Sequence, residues 1–159
     1  MHVSVIVTCY NEERNIRECL ETLINQTYDN DKFEILVIDG GSKDATQSIV
    51  KEFEKVYHNV TLAVEPKRGT AAGRNRGVVT ARYDYVAFID ADCEAPHDWL
   101  STLVKDYVKI QKKSEGVVAV GGTNIPPENA GSFLRAIGIA LDSYMGSFCS
   151  VQGRQFREP

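Results

Sequence analysis

The sequence predicts an α/β fold in which a mostly parallel sheet is flanked by helices. Short apolar runs rich in β-branched residues alternate along the chain with segments whose apolar residues recur at helical spacing. The runs lack polar alternation, as expected for strands buried on both faces. Polar residues follow the ends of the runs, where ligands bind in open α/β sheets. With 159 residues, 43% of them hydrophobic, the chain is large enough for one domain with its own core.

The first strand and helix are predicted from the apolar run Val3–Thr8 and the segment after it. Asn11 is predicted to cap the helix, because its side-chain oxygen can accept a hydrogen bond from a backbone N–H group. Glu12 and Glu13 then fall in the first turn, where carboxylates favour the helix dipole. The apolar stripe of this helix comprises Ile16, Cys19, Leu20, Leu23 and Ile24. We therefore expect Cys19 in the core.

The strand-then-helix pattern is repeated by a strand over Glu34–Asp39, a break at Gly40–Ser42 and a second helix. The apolar face of that helix comprises Ile49, Val50, Phe53 and Val56. A third, weaker strand is predicted over Val60–Val64. It is followed by a helix over Thr70–Ala81, whose small and polar residues give it low intrinsic stability. Contact with a ligand is one reason for such a weak helix to form.

The fourth strand lies in the run Tyr85–Asp92. The next helix has an apolar stripe of Leu100, Leu103, Val104, Tyr107 and Val108, and it ends in two lysines that suit the helix dipole. We further predict a strand over Gly116–Val120 and a helix over Ser132–Phe148. No element is predicted for residues 152–159.

Composition and charge narrow the possible function classes. A net charge of −4 argues against non-specific nucleic-acid binding. The four cysteines, Cys9, Cys19, Cys93 and Cys149, have no CxxC or zinc-ligand spacing, which favours a reducing compartment. No run approaches the roughly 20 apolar residues that span a bilayer, and the N-terminus lacks a signal-peptide pattern. We therefore expect a cytoplasmic location, with membrane association only through missing segments.

Two carboxylates separated by one residue, Asp90 and Asp92, end the fourth strand. A buried strand that delivers them to the rim of a sheet presents the hard oxygen ligands that Mg²⁺ and Mn²⁺ prefer. The alternative is that Asp90 merely ends the strand and Asp92 shapes the turn.

Polar residues from four strand ends are expected to converge, because the carboxyl ends of parallel strands share one rim. Tyr10 could stack on a base and Asp39 could accept a hydrogen bond from a base N–H group. Arg68 and Arg74 could reach a diphosphate. Each also has a structural explanation: Tyr10 could cover the core, Asp39 could shape a turn, and the arginines could form a solvated face.

Four segments, residues 5–12, 37–46, 74–77 and 88–92, are similar in order and spacing to motifs of one enzyme family. In this respect the chain, over about residues 3–100, resembles family 2 glycosyltransferases of the GT-A fold, which is Rossmann-like. The resemblance implies transfer of a sugar, with inversion, from a UDP- or GDP-linked donor to a glycan or lipid-linked acceptor with Mn²⁺ or Mg²⁺.

The resemblance also implies roles for individual residues. Thr8, Tyr10, Glu12 and Asp39 would hold the nucleoside. Arg68 and Arg74 would be basic partners of the donor. The Asp90-Ala91-Asp92 segment would supply Asp90 to the ribose or sugar and Asp92 to a metal bridging the phosphates, with both carboxylates counted as candidate metal ligands.

Two features depart from the family pattern. Gly40 stands where many relatives have a second acidic residue, so that contact to the nucleoside is weakened or moved. The family's catalytic base and acceptor site normally follow a further stretch that this chain lacks, so the catalytic residues stay unknown. We therefore expect a chain truncated after the donor-binding half: residues 1–122 form the donor-binding core and residues 123–159 begin an acceptor-side region. A full-length form would work at the cytoplasmic face of a membrane.

Three other functions share some of these features. A haloacid dehalogenase-type phosphatase would carry a small hydroxyl residue soon after its carboxylate pair, whereas Glu94 and Ala95 follow here. A nucleotidyltransferase would carry glycines directly after the first strand, and residues 8–12 contain none. A nucleotide-sugar-binding module without turnover stays open as the alternative.

Overall fold

The computed structural model describes residues 1–113, 116, 118–122, 126, 131–133 and 136. The strands are β1 (Val3–Cys9), β2 (Phe33–Asp39), β3 (Val60–Val64) and β4 (Tyr85–Asp90). The helices are α1 (Ile16–Ile24), α2 (Thr46–Val56), α3 (Thr70–Thr80) and α4 (Trp99–Lys113), and a short 3₁₀ turn covers Asn30–Lys32. The four strands form a parallel sheet in the order β3-β2-β1-β4. The α/β architecture is therefore confirmed.

The register of the sheet brings the ends of its four strands to within one residue of one another. Thr8 on the central strand β1 pairs with Ile38 of β2 on one side and with Asp90 of β4 on the other. Asp39 pairs with Val64, the last residue of β3. Residues that follow these strands therefore meet at one edge of the sheet, as the sequence predicts.

Helices cover both faces of the central strands, whereas the prediction that β4 is buried is wrong, because β4 lies at the edge of the described sheet and is exposed or half-buried along its length. The larger core cluster joins α1, α2 and the start of α4 to one face, and Cys19 is buried there as predicted. A smaller cluster of Ile6, Leu36 and Ile38 lies on the other face. Because β1 contributes to both clusters, Val5 and Ile6 are both fully buried. This explains why its sequence is continuously apolar.

Two glycines bring α3 close to the second face. A Cβ atom added at Gly77 would overlap Ile6 Cγ2, and one added at Gly73 would lie 3.0 Å from Thr8 Cγ2. The two positions are four residues apart and face the same direction. Close packing on the sheet is thus a second reason, besides ligand contact, for a helix with such weak propensity.

The predicted role of Asn11 as a helix cap is wrong. The helix α1 begins at Ile16, with Asn15 at the cap position, so Glu12 and Glu13 precede it and Glu18 is the acidic residue of its first turn. Asn11 instead adopts a left-handed conformation with φ 57°. Its Oδ1 accepts a hydrogen bond from the backbone N–H of Lys43 at 2.9 Å, which engages the side chain away from the helix.

Beyond α4, few predictions can be compared with the structure. Gly116 and residues 118–120 do not form the predicted strand. Residues 132, 133 and 136 are helical, and the rest of the predicted helix Ser132–Phe148 lies outside the described residues, as does most of the predicted acceptor-side region 123–159. The chain divides into two compact units, Met1–Val104 and Lys105–Pro159, and the first contains the sheet. No described helix is long and apolar enough to cross a membrane.

Candidate functional site

A cavity of about 410 Å³ opens at the carboxyl edge of the sheet. Its walls come from the ends of β1, β2 and β4, the segment after β3 and the first turn of α3. Seven of the nine predicted site residues line it: Thr8, Tyr10, Glu12, Arg68, Asp90, Ala91 and Asp92. Asp39 and Arg74 do not. The structure therefore brings together most of the residues that the sequence places at this edge.

An aromatic ring and a guanidinium group form one side of the cavity. The Tyr10 side chain is 41% exposed, and Arg68 Nη2 donates a hydrogen bond to its hydroxyl at 3.0 Å. The guanidinium carbon also lies 5.2 Å from the centre of the ring. An exposed contact of this kind contributes only about 0.5–1 kcal/mol. The cation–π contact alone therefore holds Arg68 on the tyrosine ring only weakly.

The two carboxylates Asp90 and Asp92 differ in their surroundings. Arg74 Nη2 donates to Asp90 Oδ1 at 3.0 Å, and the same guanidinium lies 5.8 Å from the Phe88 ring centre. Arg74 thus offsets the charge of Asp90 from outside the cavity. Asp92 is exposed and lines the cavity, separated from Asp90 by the buried Ala91. Of the two carboxylates, Asp92 is the better placed to bind a cation.

The donor set limits what kind of metal site could form here. Among the described residues, no group of three or more His, Cys, Asp or Glu side chains could hold a metal ion. Mg²⁺ is often bound by one or two carboxylates, with substrate phosphates completing its shell. Asp92, with or without Asp90, matches a site in which protein carboxylates and substrate phosphates bind the metal together. It does not match a site made by protein ligands alone.

Asp39 is fully buried, and donors of the protein itself surround its carboxylate. Oδ2 accepts from the backbone N–H groups of Gly41 and Ser42 at 3.0 and 2.9 Å and from Gln47 Nε2 at 2.6 Å. Oδ1 accepts from the Ser42 hydroxyl and from Cys9 Sγ, the latter at 3.7 Å. The carboxylate therefore orders the turn after β2, and that turn contributes Gly40 to the cavity wall.

The loops after β1 and β2 are joined by reciprocal hydrogen bonds. The backbone N–H groups of Asn11 and Glu12 donate to the Ser42 and Thr46 hydroxyls, both at 2.8 Å. Lys43 N–H donates back to Asn11, as described above. These bonds hold Tyr10 and Glu12, which flank Asn11, against the turn that Asp39 orders. Hydrogen bonds thus connect the cavity wall that follows β1 to the wall that follows β2.

The loop that carries Asp92 is held by the side chain of Gln26, a residue that belongs to no sequence motif. Gln26 Oε1 accepts from Leu100 N–H at 2.9 Å, and its Nε2 donates to Pro96 O at 2.7 Å. Nearby, Thr22 Oγ1 accepts from Ala95 N–H at 3.0 Å. Gln26, which follows α1, and Thr22, which lies within α1, therefore fix the segment between Asp92 and α4.

Sequence reasoning also missed lining residues on the β2 and β3 side. Gly40, Glu65 and Lys67 all line the cavity. A signal was available, because side chains alternate along a strand. Ile38 and Gly40 therefore share one face while Asp39 faces the other way, and only the first two line the cavity.

Comparison with known proteins gives consistent matches. A profile described as Glycosyl transferase family 2 matches residues 4–131. The chain is 38% identical over 121 residues to glycosyltransferase AglE of Haloferax volcanii, covering 76% of this chain and 38% of that protein. It is 37% identical over 131 residues to glycosyltransferase GlyA of Streptococcus pneumoniae, covering 82% of this chain and 18% of that protein. The chain thus spans well under half the length of these relatives.

Solved structures match over most of the chain. S. aureus TarS 1–349 in complex with UDP has a TM-score of 0.62 and 27% identity, covering 82% of this chain and 38% of that one. The mannosyltransferase PcManGT from Pyrobaculum calidifontis, in complex with GDP-Man and Mn²⁺, has a TM-score of 0.66 and 28% identity, covering 89% and 40%. The fold, the motifs at the cavity and these matches agree, and the chain belongs to glycosyltransferase family 2.

Proposed function

We propose that the cavity binds the nucleoside diphosphate part of a UDP- or GDP-linked sugar, and that the enzyme transfers this sugar with inversion. The observation that carries the proposal is that one cavity at the carboxyl edge of the sheet is lined by Tyr10, Arg68 and the carboxylate pair Asp90 and Asp92. The solved relatives named above, in complex with UDP and with GDP-Man, support it.

The proposed roles follow from the contacts of each residue. Tyr10 stacks on the base, with Thr8 and Glu12 around the nucleoside, and Arg68 binds the diphosphate once it leaves the tyrosine ring. Asp39 acts through the turn that it orders. Arg74 acts through its ion pair with Asp90, which holds that carboxylate toward the ribose or sugar.

Asp92, with Asp90 as a second ligand, would hold Mn²⁺ or Mg²⁺ together with oxygens of the diphosphate. A divalent ion in this position supplies Lewis acidity that stabilises the departing nucleoside diphosphate. The complex of the mannosyltransferase relative with Mn²⁺ supports the choice of cation class.

Inversion requires a direct displacement in which the acceptor hydroxyl attacks the anomeric carbon and loses its proton to a base. The chain's own residues contribute the binding and orientation of the donor, and the base is left unassigned. The acceptor in this proposal is a glycan or a lipid-linked sugar, and the full-length protein works on the cytoplasmic side of a membrane.

Calorimetric titration of UDP and GDP into the chain, with and without MnCl₂, tests the proposal. We expect binding of at least one nucleotide that strengthens with Mn²⁺. Asp92→Ala should abolish the metal-dependent part, because it removes the exposed carboxylate from the cavity. Asp31→Ala is the matched control, since Asp31 is exposed just before β2, at the opposite edge of the sheet.

Two results would contradict parts of this proposal. A folded chain that binds neither nucleotide would rule out the donor site. Unchanged metal dependence in Asp92→Ala would remove Asp92 from the metal site. Binding without transfer by the full-length protein would instead favour the alternative of a nucleotide-sugar-binding module.

A further inference from the structure

We propose that Glu65 is the residue that recognises the base of the donor, and that this base is guanine. The inference rests on the proposed function, because it names the base of a nucleotide that the cavity is proposed to bind. Three features carry it. The Asp39 carboxylate already accepts hydrogen bonds from donors of the protein, there is a gap at Gly40, and Glu65 lies opposite that gap.

Asp39 is poorly placed to recognise a base directly. Its carboxylate is buried and already accepts from two backbone N–H groups, an amide and a hydroxyl. A base N–H group would have to replace one of these donors, and a buried donor left without a partner costs about 1–3 kcal/mol. A carboxylate for the base must therefore come from a residue whose side chain reaches the cavity.

Gly40 leaves a gap at the place where such a carboxylate could stand. A Cβ atom added there would lie 3.5 Å from Cys9 O and 3.6 Å from Tyr10 Cβ and Cδ2, which are ordinary van der Waals distances. Position 40 thus lies directly beside the Tyr10 ring and has space for a side chain. A base stacked on Tyr10 would extend its edge over this gap.

Glu65 faces the same gap from the neighbouring strand. Its backbone N–H donates to Asp39 O at 2.8 Å, so the pairing of β2 and β3 continues one residue past Val64 and sets Glu65 opposite Gly40. Its Oε1 accepts from Lys67 N–H at 2.9 Å, and both residues line the cavity. The carboxylate is therefore held at the cavity wall, within the segment after β3.

The chemistry of the bases then selects guanine. Guanine presents two adjacent donors, N1–H and the N2 amino group, which match the two oxygens of a carboxylate. Uracil presents a single N–H group between two carbonyl oxygens, and these repel the second carboxylate oxygen. Adenine and cytosine place an acceptor at the centre of the edge. Two parallel charge-assisted hydrogen bonds thus favour guanine over the other three bases. The missing side chain at position 40 leaves room for the larger purine.

The test is calorimetric titration of GDP, UDP, ADP and CDP into the chain in the presence of MnCl₂. We expect GDP to bind most tightly. Glu65→Gln keeps an oxygen for Lys67 N–H but replaces one acceptor with an amino group, so the affinity for GDP should fall about 10- to 100-fold. Affinity for UDP should change less than threefold, because uracil does not form two parallel hydrogen bonds with the Glu65 carboxylate that the variant could remove.

Glu54→Gln is the matched control, because Glu54 Oε1 accepts from Leu62 N–H at 3.1 Å outside the cavity. It removes the same charge beside β3 and should leave GDP affinity unchanged. Circular dichroism checks that both variants are folded.

The outcomes separate this inference from the proposed function. Equal or tighter binding of UDP relative to GDP, or unchanged GDP affinity in Glu65→Gln, would overturn the inference while leaving the donor site in place. Failure of a folded chain to bind all four nucleotides would overturn both. A selective loss of GDP binding in Glu65→Gln, with Glu54→Gln unaffected, would support both.

Discussion

At the scale of single residues, the buried Cys9 lines the cavity wall and its thiol contacts the Asp39 carboxylate. Burial of the Cys9 thiol, reinforced by the nearby charge of Asp39, raises its pKa well above the ordinary value. The thiolate is the reactive form of cysteine, so this environment makes Cys9 unreactive. The same environment also makes its titration sensitive to whether the protein is folded.

Alkylation measures this effect. At pH 8, N-ethylmaleimide should modify Cys9 of the folded chain at least about 10-fold more slowly than Cys9 of the urea-unfolded chain, because the folded thiol is both buried and protonated. Mass spectrometry of tryptic peptides reports the rate at this residue. Modification at equal rates in the two states would contradict the buried position of Cys9.

The pKa shift of Cys9 also fixes the direction of a pH effect on stability. Because the folded-state pKa is raised, the neutral thiol is favoured in the folded protein. The stabilisation that the neutral Cys9 thiol contributes to the free energy of unfolding is fully present below about pH 9, the ordinary pKa of a thiol. This stabilisation is lost as the pH rises above that value towards the raised pKa of the folded state. Urea denaturation at pH 8 and 10, compared between the native chain and Cys9→Ala, isolates this contribution.

The site could be predicted from sequence where it depends on which residues follow a strand, and not where it depends on side-chain direction. Thr8, Tyr10 and Asp92 reach the cavity because the topology brings strand ends together. Asp39 and Gly40 are neighbours in sequence, yet the Asp39 side chain is buried away from the cavity while Gly40 lies at its wall. The pairing of Arg74 with Asp90 depends on how α3 lies on the sheet, which no local pattern encodes.

At the scale of secondary-structure elements, α3 shows how packing can determine the composition of a helix. Its glycines are unfavourable for an isolated helix, but they let the helix backbone approach Ile6 and Thr8. The low propensity was evident from the sequence. Its structural cause was not, because the partner residues lie more than 60 positions earlier in the chain.

Gly77→Ala tests this explanation. In an exposed helix position the change would stabilise the protein by about 0.5–1 kcal/mol, because alanine has the higher helix propensity. Here the added methyl group overlaps the fully buried Ile6, so we expect the free energy of unfolding to fall by about 1–3 kcal/mol in urea denaturation. Val79→Ala, at a position of α3 that is 80% exposed, is the control. A stabilised Gly77→Ala variant would show that α3 does not lie this close to the sheet.

The loop between β4 and α4 illustrates a second limit at this scale. Gln26 fixes that loop through hydrogen bonds to Pro96 and Leu100, about 70 residues away in sequence. A glutamine after a helix is ordinarily exposed, and only the tertiary arrangement reveals that this side chain is 7% exposed. The position of the segment that follows Asp92 thus depends on a residue with no motif of its own.

At the scale of the whole molecule, the alternation of strands and helices was enough to predict the parallel sheet and the edge that carries the site. The four described strands and four helices each correspond to a predicted element. Gly116 and residues 118–120 do not form the expected strand, which shows that a short apolar run is a weak signal on its own.

Donor binding should stabilise the unit that contains the sheet, because the cavity is built from three strand ends, the segment after β3 and the first turn of α3. At a GDP concentration 100 times its dissociation constant, with MnCl₂ present, the free energy of unfolding should rise by about 2.7 kcal/mol. For a domain of this size we expect a rise in Tm of about 5–10 °C in a thermal-shift measurement. ADP is the control nucleotide, and an equal shift with ADP would contradict the selection of guanine.

The open space beside Tyr10 has a consequence for how this protein can diverge. Any glycine codon becomes a codon for aspartate or glutamate through a single substitution at its second base. Because a Cβ atom at position 40 meets only ordinary contacts, such a change would leave the backbone undisturbed. It would set a new carboxylate next to Glu65 and alter how the base edge is contacted. If Glu65 recognises the base as proposed, a single point mutation at this codon would change the carboxylates that face the base without a rearrangement of the fold.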